Sequence, residues 1–173
     1  DGAPQQRRVP DPMGQHYLTP LFAPESIIVF CGSPDDPAGQ TAQAQALRQA
    51  LSTQRYSGSL QYLDIHDTGT LADLAQARAD LAIIALPPKD VAAALEVAGR
   101  MTCRSALVIS SGIDAEQAAE LKKIARREGV FLLGPNCLGM QRPKLQLNAS
   151  ATGPMARAGS LALVSQSGAL TTS

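Results

Sequence analysis

A regular alternation of short apolar runs with helical segments is the feature that most constrains the fold of this chain. The runs are rich in Val, Ile, Leu and Ala, and they span residues 26–31, 60–65, 80–86, 105–110 and 130–133. An uninterrupted apolar run is typical of a strand in a parallel sheet that is covered on both faces. The runs therefore predict five parallel strands.

Amphipathic segments between the runs supply the crossovers that parallel strands require. Helices are expected at 39–55 and 71–77, after the Pro87-Pro88 pair, and from Asp114 to Gly129. With right-handed crossovers, the expected fold is α/β: a doubly wound, mainly parallel Rossmann-like sheet with helices on both faces. In such a sheet, ligands bind beyond the carboxyl ends of the strands.

Composition along the chain predicts its domain organisation. Residues 1–17 are polar and proline-bearing, which predicts a flexible N-terminal tail ahead of a Rossmann-like domain at 18–140. Residues 141–159 are punctuated by Pro and Gly and are expected to form an irregular connector. The run SLALVS then predicts a new buried strand within 160–173, the truncated start of a second domain.

Charge and residue usage argue against several classes of function. Fifteen basic residues balance fifteen acidic ones and 3% of the residues are aromatic, which argues against nucleic-acid binding. No apolar run approaches the roughly 20 residues of a membrane-spanning helix, so no membrane partner is expected. The cysteines lack pairing or metal-ligand spacing, which predicts a reduced cytoplasmic protein without a metal: Cys31, Cys103 and Cys137.

The loops that follow the predicted strands are where a ligand is expected. They comprise residues 32–39, 64–67, 86–89, 110–113 and 134–139. Their serine hydroxyls, asparagine and backbone amides suit a polyphosphate or a pantetheine chain. No nucleophile and base are paired in them, which predicts a ligand-binding domain without catalytic residues. Asp64 and Asp67 leave open a dehydrogenase-like alternative, in which an acid holds ribose hydroxyls.

Five motifs in order carry a resemblance to a known family. They are ALPPKDV, VISSGI, LLGPNCLGM, LNAS and GSLALVSQSGAL. At this spacing the chain resembles the CoA-binding region of the NDP-forming acyl-CoA synthetase and succinyl-CoA ligase α-subunit superfamily. The resemblance covers about nine tenths of the chain, from about Leu18 onward.

The resemblance implies a site for CoA or acyl-CoA at the carboxyl edge of the sheet. The implied contacts are Gly32, Ser33, Gly39, Pro87, Ser110, Ser111, Gly112 and Asn136. It also implies a phosphate site at the first helix of the second domain, formed by Ser165, Ser167 and Gly168. The implied reaction converts acyl-CoA, ADP and phosphate to the acid, ATP and CoA. The phosphohistidine and the ADP/ATP site would belong to further domains or a partner subunit, so this fragment alone is not expected to catalyse it.

The chain departs from the family pattern at its acidic early loops. Where the family has Asn-Pro-Lys after the second strand, this chain has Asp64-Ile-His-Asp67, and the first loop adds Asp35 and Asp36. Acids beside a phosphate predict weakened CoA binding. Two alternatives stay open: an acyl-CoA-sensing region of a fused protein lysine acetyltransferase, and a nucleotide-binding or interaction domain.

Overall fold

A five-stranded parallel sheet forms the centre of the chain. The computed structural model describes residues 16–33, 35–36, 40–53, 55–67 and 78–167. The strands are β1 (Ser26–Phe30), β2 (Ser59–Leu63), β3 (Leu81–Ile84), β4 (Ser105–Val108) and β5 (Phe131–Leu133). Their order, β2-β1-β3-β4-β5, reverses between β1 and β3. The predicted doubly wound α/β sheet is confirmed, and this reversal is the switch point where such folds bind ligands.

Two of the four described helices begin behind a residue whose side chain caps them, and the other two begin with a proline in their first turn. The four helices are α1 (Thr19–Phe22), α2 (Ala42–Ser52), α3 (Pro88–Arg100) and α4 (Ala115–Glu128). Asp114 caps α4 in a reciprocal capping box with Gln117, and Gly129 ends it with a φ of 71°. The helix predicted at 71–77 lies outside the described residues.

Each face of the sheet packs against a different layer. Ile28, Ile84 and Val108 point to the face that α3 and α4 cover. Val29 and Ile83 alternate with them and point to the opposite face, where α2 packs. Because successive side chains of a strand point to opposite faces, the continuous apolar runs match this two-sided burial.

A hairpin completes the α2 face of the sheet and corrects one prediction. Strands β6 (Gly139–Arg142) and β7 (Leu147–Ser150) pair in antiparallel fashion around a 3-10 turn. Leu147 is 0% exposed and belongs to the core on that face. The prediction that 141–159 is entirely irregular is therefore wrong for its first ten residues. These strands are four residues long, so their periodicity is too short to identify them.

The predicted buried strand at 160–165 is not formed. These residues have no strand partner in the described part of the chain, and Leu161 is 98% exposed and Val164 90% exposed. A strand needs a neighbour for its backbone hydrogen bonds, which a local apolar pattern does not provide. The assignment of 160–173 to a second domain stays a prediction.

Candidate functional site

The loops at the carboxyl ends of the strands gather most of the predicted site residues at one edge of the sheet. Gly32 and Ser33 follow β1, Pro87 follows β3 and leads into α3, and Ser110 begins the turn after β4. Asn136 follows β5. Their shared edge is a consequence of the parallel strands. Gly39 lies outside the described residues.

Ser110 joins the loops after β3, β4 and β5. Its hydroxyl oxygen accepts a hydrogen bond from the Leu86 backbone N–H at 2.9 Å. Its carbonyl oxygen accepts from the Asn136 backbone N–H at 3.1 Å. Ser110 is 1% exposed, so it holds the loops in register and presents little surface to a ligand.

Asn136 fixes the loop after β5 to the loop after β4. Its Oδ1 accepts from the Ile113 N–H at 3.2 Å, and its Nδ2 donates to the Ile113 carbonyl at 2.8 Å. The residue has a φ of 56°, a conformation that asparagine tolerates better than most residues. Both polar groups of its side chain are thereby engaged within the protein.

Gly134 allows the same loop to approach β4 closely. Its φ is 96°, and a Cβ built on it would lie 2.3 Å from the carbonyl oxygen of Val108. No other residue type fits that separation and that backbone conformation together. The loop after β5 is therefore held both by backbone packing and by side-chain hydrogen bonds.

Gln43 connects the first turn of α2 to the loop after β4. Its Nε2 donates to the Oγ of Ser111 at 2.6 Å. The contact brings the segment after β1 beside Ser111 and Gly112, which are both exposed. Sequence reasoning did not single out Gln43, although its place two residues after the Thr41 cap puts it at the carboxyl edge.

Arg48 is a second residue that sequence reasoning missed. Its Nη2 donates to the carbonyl oxygen of Gly32 and to the Sγ of Cys31, both at 3.0 Å. Its guanidinium carbon lies 4.7 Å from the ring centre of Tyr62 in β2. Helical side chains lean toward the helix N-terminus, which is how a residue in the middle of α2 reaches the end of β1.

Of the acids in the early loops, Asp64 is turned toward the backbone of its own loop. Asp64 Oδ1 accepts from the His66 N–H at 2.9 Å, an arrangement that closes the turn after β2. Asp35 is exposed, and its N–H donates to the Oγ of Ser33 at 3.2 Å. Neither carboxylate forms an ion pair with Arg48 in the described structure.

The three cysteines are free thiols held in their neutral form. Burial raises the pKa of Cys31, an effect that the nearby Arg48 charge partly opposes. Burial and then Asp80 raise the pKa of Cys103 to about 12, and burial raises that of Cys137. Thiols protonated at neutral pH are poor nucleophiles and poor metal ligands. Among the described residues no group of acids, histidines and cysteines could hold a metal.

A crevice opens between α3 and α4 next to the loop after β4. Its volume is about 160 Å³, and the floor is formed by Ala92, Ile113 and Leu121. Pro88, Lys89, Gln117 and Glu120 complete its lining. The crevice is smaller than the roughly 300–1,000 Å³ of an ordinary small-molecule pocket.

The predicted phosphate residues lie in the exposed segment near the end of the described chain. Ser165 Oγ accepts from the Ser167 N–H at 3.0 Å and donates to the Ser167 carbonyl at 3.1 Å. Gly168 lies outside the described residues.

In the described part of the chain, no helix has the length and apolar character to cross a membrane.

The chain is similar in sequence to a known domain family and to known ligases. Residues 59–143 match the family described as CoA binding domain. The ADP-forming acetate–CoA ligase I of Archaeoglobus fulgidus is 34% identical over 157 residues, which are 86% of this chain and 23% of that ligase. The alpha subunit of the ADP-forming acetate–CoA ligase I of Pyrococcus furiosus is 39% identical over 98 residues, 53% of this chain and 21% of that subunit.

A solved structure shares the fold over most of the chain. It is the dinucleotide-forming acetyl-coenzyme A synthetase 1 of Candidatus Korarchaeum cryptofilum, in complex with phosphate and ADP. The TM-score is 0.73 at 26% identity, covering 88% of this chain and 34% of that one. This chain thus spans about a third or less of the relatives that it matches.

The fold is a Rossmann-like parallel sheet. Residues 59–143 match the CoA binding domain family, and the chain is homologous to ADP-forming acetate–CoA ligases and to their alpha subunits over the ranges given above.

Proposed function

We propose that this chain is the CoA-binding region of an ADP-forming acyl-CoA synthetase. The observation that carries the proposal is the coincidence of two facts at one sheet edge. Residues 59–143 match the CoA binding domain family, and the loops within that range are joined to one another by hydrogen bonds within the protein. Loops held in place by the protein's own contacts lower the entropy cost of binding a long, flexible ligand.

The diphosphate of CoA would lie at the first loop and the start of α2. Gly32 has a φ of 75° and turns the chain sharply after β1, and Ser33 and Gly39 follow it. The N-terminus of a helix offers backbone N–H groups and a positive dipole to an anion. The helix begins at Ala42 behind the Thr41 cap, which places this positive end at the carboxyl edge.

The pantetheine arm would cross the loops after β3 and β4. Pro87, Ser111 and Gly112 lie along that path, and the crevice between α3 and α4 opens beside it. A Cβ built on Gly112 would meet Pro88 Cγ at 3.8 Å, so the two loops approach each other at van der Waals contact. Ser110 and Asn136, which the resemblance implies as ligand contacts, would act by holding these loops in place.

The chemical steps would take place outside the described residues. The reaction would convert acyl-CoA, ADP and phosphate to the acid, ATP and CoA, with ADP and ATP bound by further domains or a partner subunit. Ser165, Ser167 and Gly168 would receive a phosphate at the first helix of a second domain.

Three free thiols fit the reducing cytoplasm. The alternative of a fused lysine acetyltransferase gains no support from the relatives described above.

Calorimetric titration of the 173-residue chain with CoA tests the proposal. We expect saturable binding with a dissociation constant in the micromolar range, and weaker binding of NAD⁺ and ATP under the same conditions. Circular dichroism on the same sample verifies that the chain is folded. A folded chain that gives no heat with millimolar CoA, or that binds NAD⁺ more tightly, contradicts the proposal.

A further inference from the structure

Arg48 carries a half-buried positive charge that no carboxylate neutralises in the described structure. Among the described residues, its Nη2 donates to two uncharged acceptors, the Gly32 carbonyl and the Cys31 thiol. Its Nε is buried and has no hydrogen-bond acceptor in that part of the chain. A cation held partly out of water without a counter-charge is stabilised when an anion binds beside it.

The position of this charge matches one part of a bound adenine nucleotide. In doubly wound folds the diphosphate lies at the helix after β1, and the adenosine ribose then lies over the end of β2. Arg48 bridges these two places, since it contacts the end of β1 through Gly32 and the end of β2 through Tyr62. An arginine near the end of β2 is the group that such folds use for a phosphate on the ribose.

Tyr62 holds the guanidinium group in a defined orientation. Tyr62 is 38% exposed and its ring lies against the guanidinium of Arg48, while Nη2 of that group is held by hydrogen bonds to Gly32 and Cys31. Because Nη2 already donates twice, Nη1 is left to supply one charge-assisted hydrogen bond to a phosphate oxygen. Asp64 accepts a hydrogen bond from the His66 N–H in the turn after β2.

We propose that Arg48 binds the phosphate monoester on the adenosine ribose of the bound nucleotide, which is the 3′-phosphate in CoA. The inference rests on the proposed function. Arg48 is then the residue by which the chain distinguishes CoA from 3′-dephospho-CoA. It also supplies the positive charge that the acidic sequence after β2 lacks, so that CoA binding is retained.

The test is a thermodynamic cycle that compares two ligands on the unchanged 173-residue chain and on two Arg48 variants. Affinities for CoA and 3′-dephospho-CoA are measured by calorimetry for the unchanged chain, Arg48→Gln and Arg48→Lys. Arg100→Gln is the matched control, because Arg100 is an exposed cation in the last turn of α3, at the opposite end of that helix from the site. NADP⁺ and NAD⁺ form a second ligand pair, which separates a 3′-phosphate from a 2′-phosphate.

We expect the unchanged chain to bind CoA about tenfold more tightly than 3′-dephospho-CoA, the strength of one charge-assisted contact. Arg48→Gln should abolish that preference, because the phosphate by which the two ligands differ then has no cation beside it. Arg48→Lys should keep part of the preference, and Arg100→Gln should keep all of it.

Two results would overturn the inference while leaving the proposed function intact. One is equal binding of CoA and 3′-dephospho-CoA by the unchanged chain. The other is a preference that survives in Arg48→Gln, or in Arg48→Lys if only that variant folds, at the full value of the unchanged chain. A chain that binds neither ligand contradicts the proposed function itself. A larger preference for NADP⁺ over NAD⁺ than for CoA over 3′-dephospho-CoA would assign Arg48 to a 2′-phosphate and contradict the proposal for CoA.

Discussion

The loops after β1 and β2 differ in construction from the loops after β3, β4 and β5. The later loops are joined by hydrogen bonds through Ser110 and Asn136 and by close backbone contact at Gly134. The early loops are the charged ones: Arg48 of α2 donates to Gly32 in the loop after β1, and Asp64 lies in the loop after β2. Under the proposed function, the later loops would serve as the scaffold of the site, and the early loops would select the charged group that it accepts.

The largest expected effect comes from breaking the scaffold at its closest approach. Gly134→Ala places a Cβ 2.3 Å from the Val108 carbonyl oxygen at a φ of 96°. We expect a loss of about 3–5 kcal/mol in the free energy of unfolding, because the backbone of the loop has to move. Urea denaturation measures the change.

Gly129→Ala is the control for that prediction. Gly129 also has a positive φ, 71°, but a Cβ built there has nothing within 4 Å. Its replacement should cost only about 1 kcal/mol, from backbone strain alone. Equal losses in the two variants would show that the loop after β5 is not closely packed on β4.

A smaller effect is expected from Asn136, whose side chain satisfies both backbone groups of Ile113. Asn136→Gly keeps the positive φ but removes both hydrogen bonds, and it should cost about 2 kcal/mol of unfolding free energy. CoA affinity should fall with it, because the loop after β4 is no longer fixed. Asn136→Asp keeps the acceptor for the Ile113 N–H and should recover part of the stability. A CoA affinity unchanged in Asn136→Gly would mean that the scaffold does not serve the site.

The sequence predicted the scaffold far better than the charged part of the site. Residues such as 81–84 are buried on both faces of the sheet, so an uninterrupted apolar run was enough to identify their strand. The expected parallel order of the strands then predicted the edge at which a ligand would bind. Gln43 and Arg48 were missed because a polar residue in an amphipathic helix ordinarily faces solvent. Their roles depend on Ser111, Gly32 and Tyr62, which are distant in sequence and meet them only in the folded chain.

The structure differs from the sequence-based prediction at two further places, and for the same physical reason. The hairpin of β6 and β7 was missed because its strands are short, and it is stabilised by packing on the sheet through Leu147. The strand predicted at 160–165 was wrong because an apolar run does not supply its own partner. Local pattern thus predicts which residues are apolar, but tertiary contacts decide what they pair with.

The smallest expected effect is a change with pH in the free energy of unfolding. It arises from Tyr56, which lies before β2, at the amino ends of the strands. The Tyr56 hydroxyl donates to the Pro24 carbonyl at 2.6 Å, and burial, then Asp80 and Glu25, raise the pKa of Tyr56 to about 12. Because the folded pKa is the higher one, its contribution is present below about pH 10 and is lost as pH rises toward 12.

Urea denaturation between pH 8 and about 12 measures this contribution. The comparison is made in a Cys103→Ala background, since the pKa of Cys103 is also raised to about 12 and that thiol loses its proton over the same range. Tyr56→Phe should be less stable at pH 8 and should lose less stability on the way to high pH. Identical pH profiles for the two chains would remove Tyr56 from this account.

The central claim, that a scaffold of later loops and a charged early region form one CoA site, is tested most directly by NMR titration of the chain with CoA. We expect the largest changes in amide shifts at Gly32, Ser33, Ser111 and Gly112. Changes are also expected at Tyr62, and these should disappear when 3′-dephospho-CoA replaces CoA. Changes concentrated instead at the opposite edge of the sheet, around Thr19 and Asp80, would contradict it.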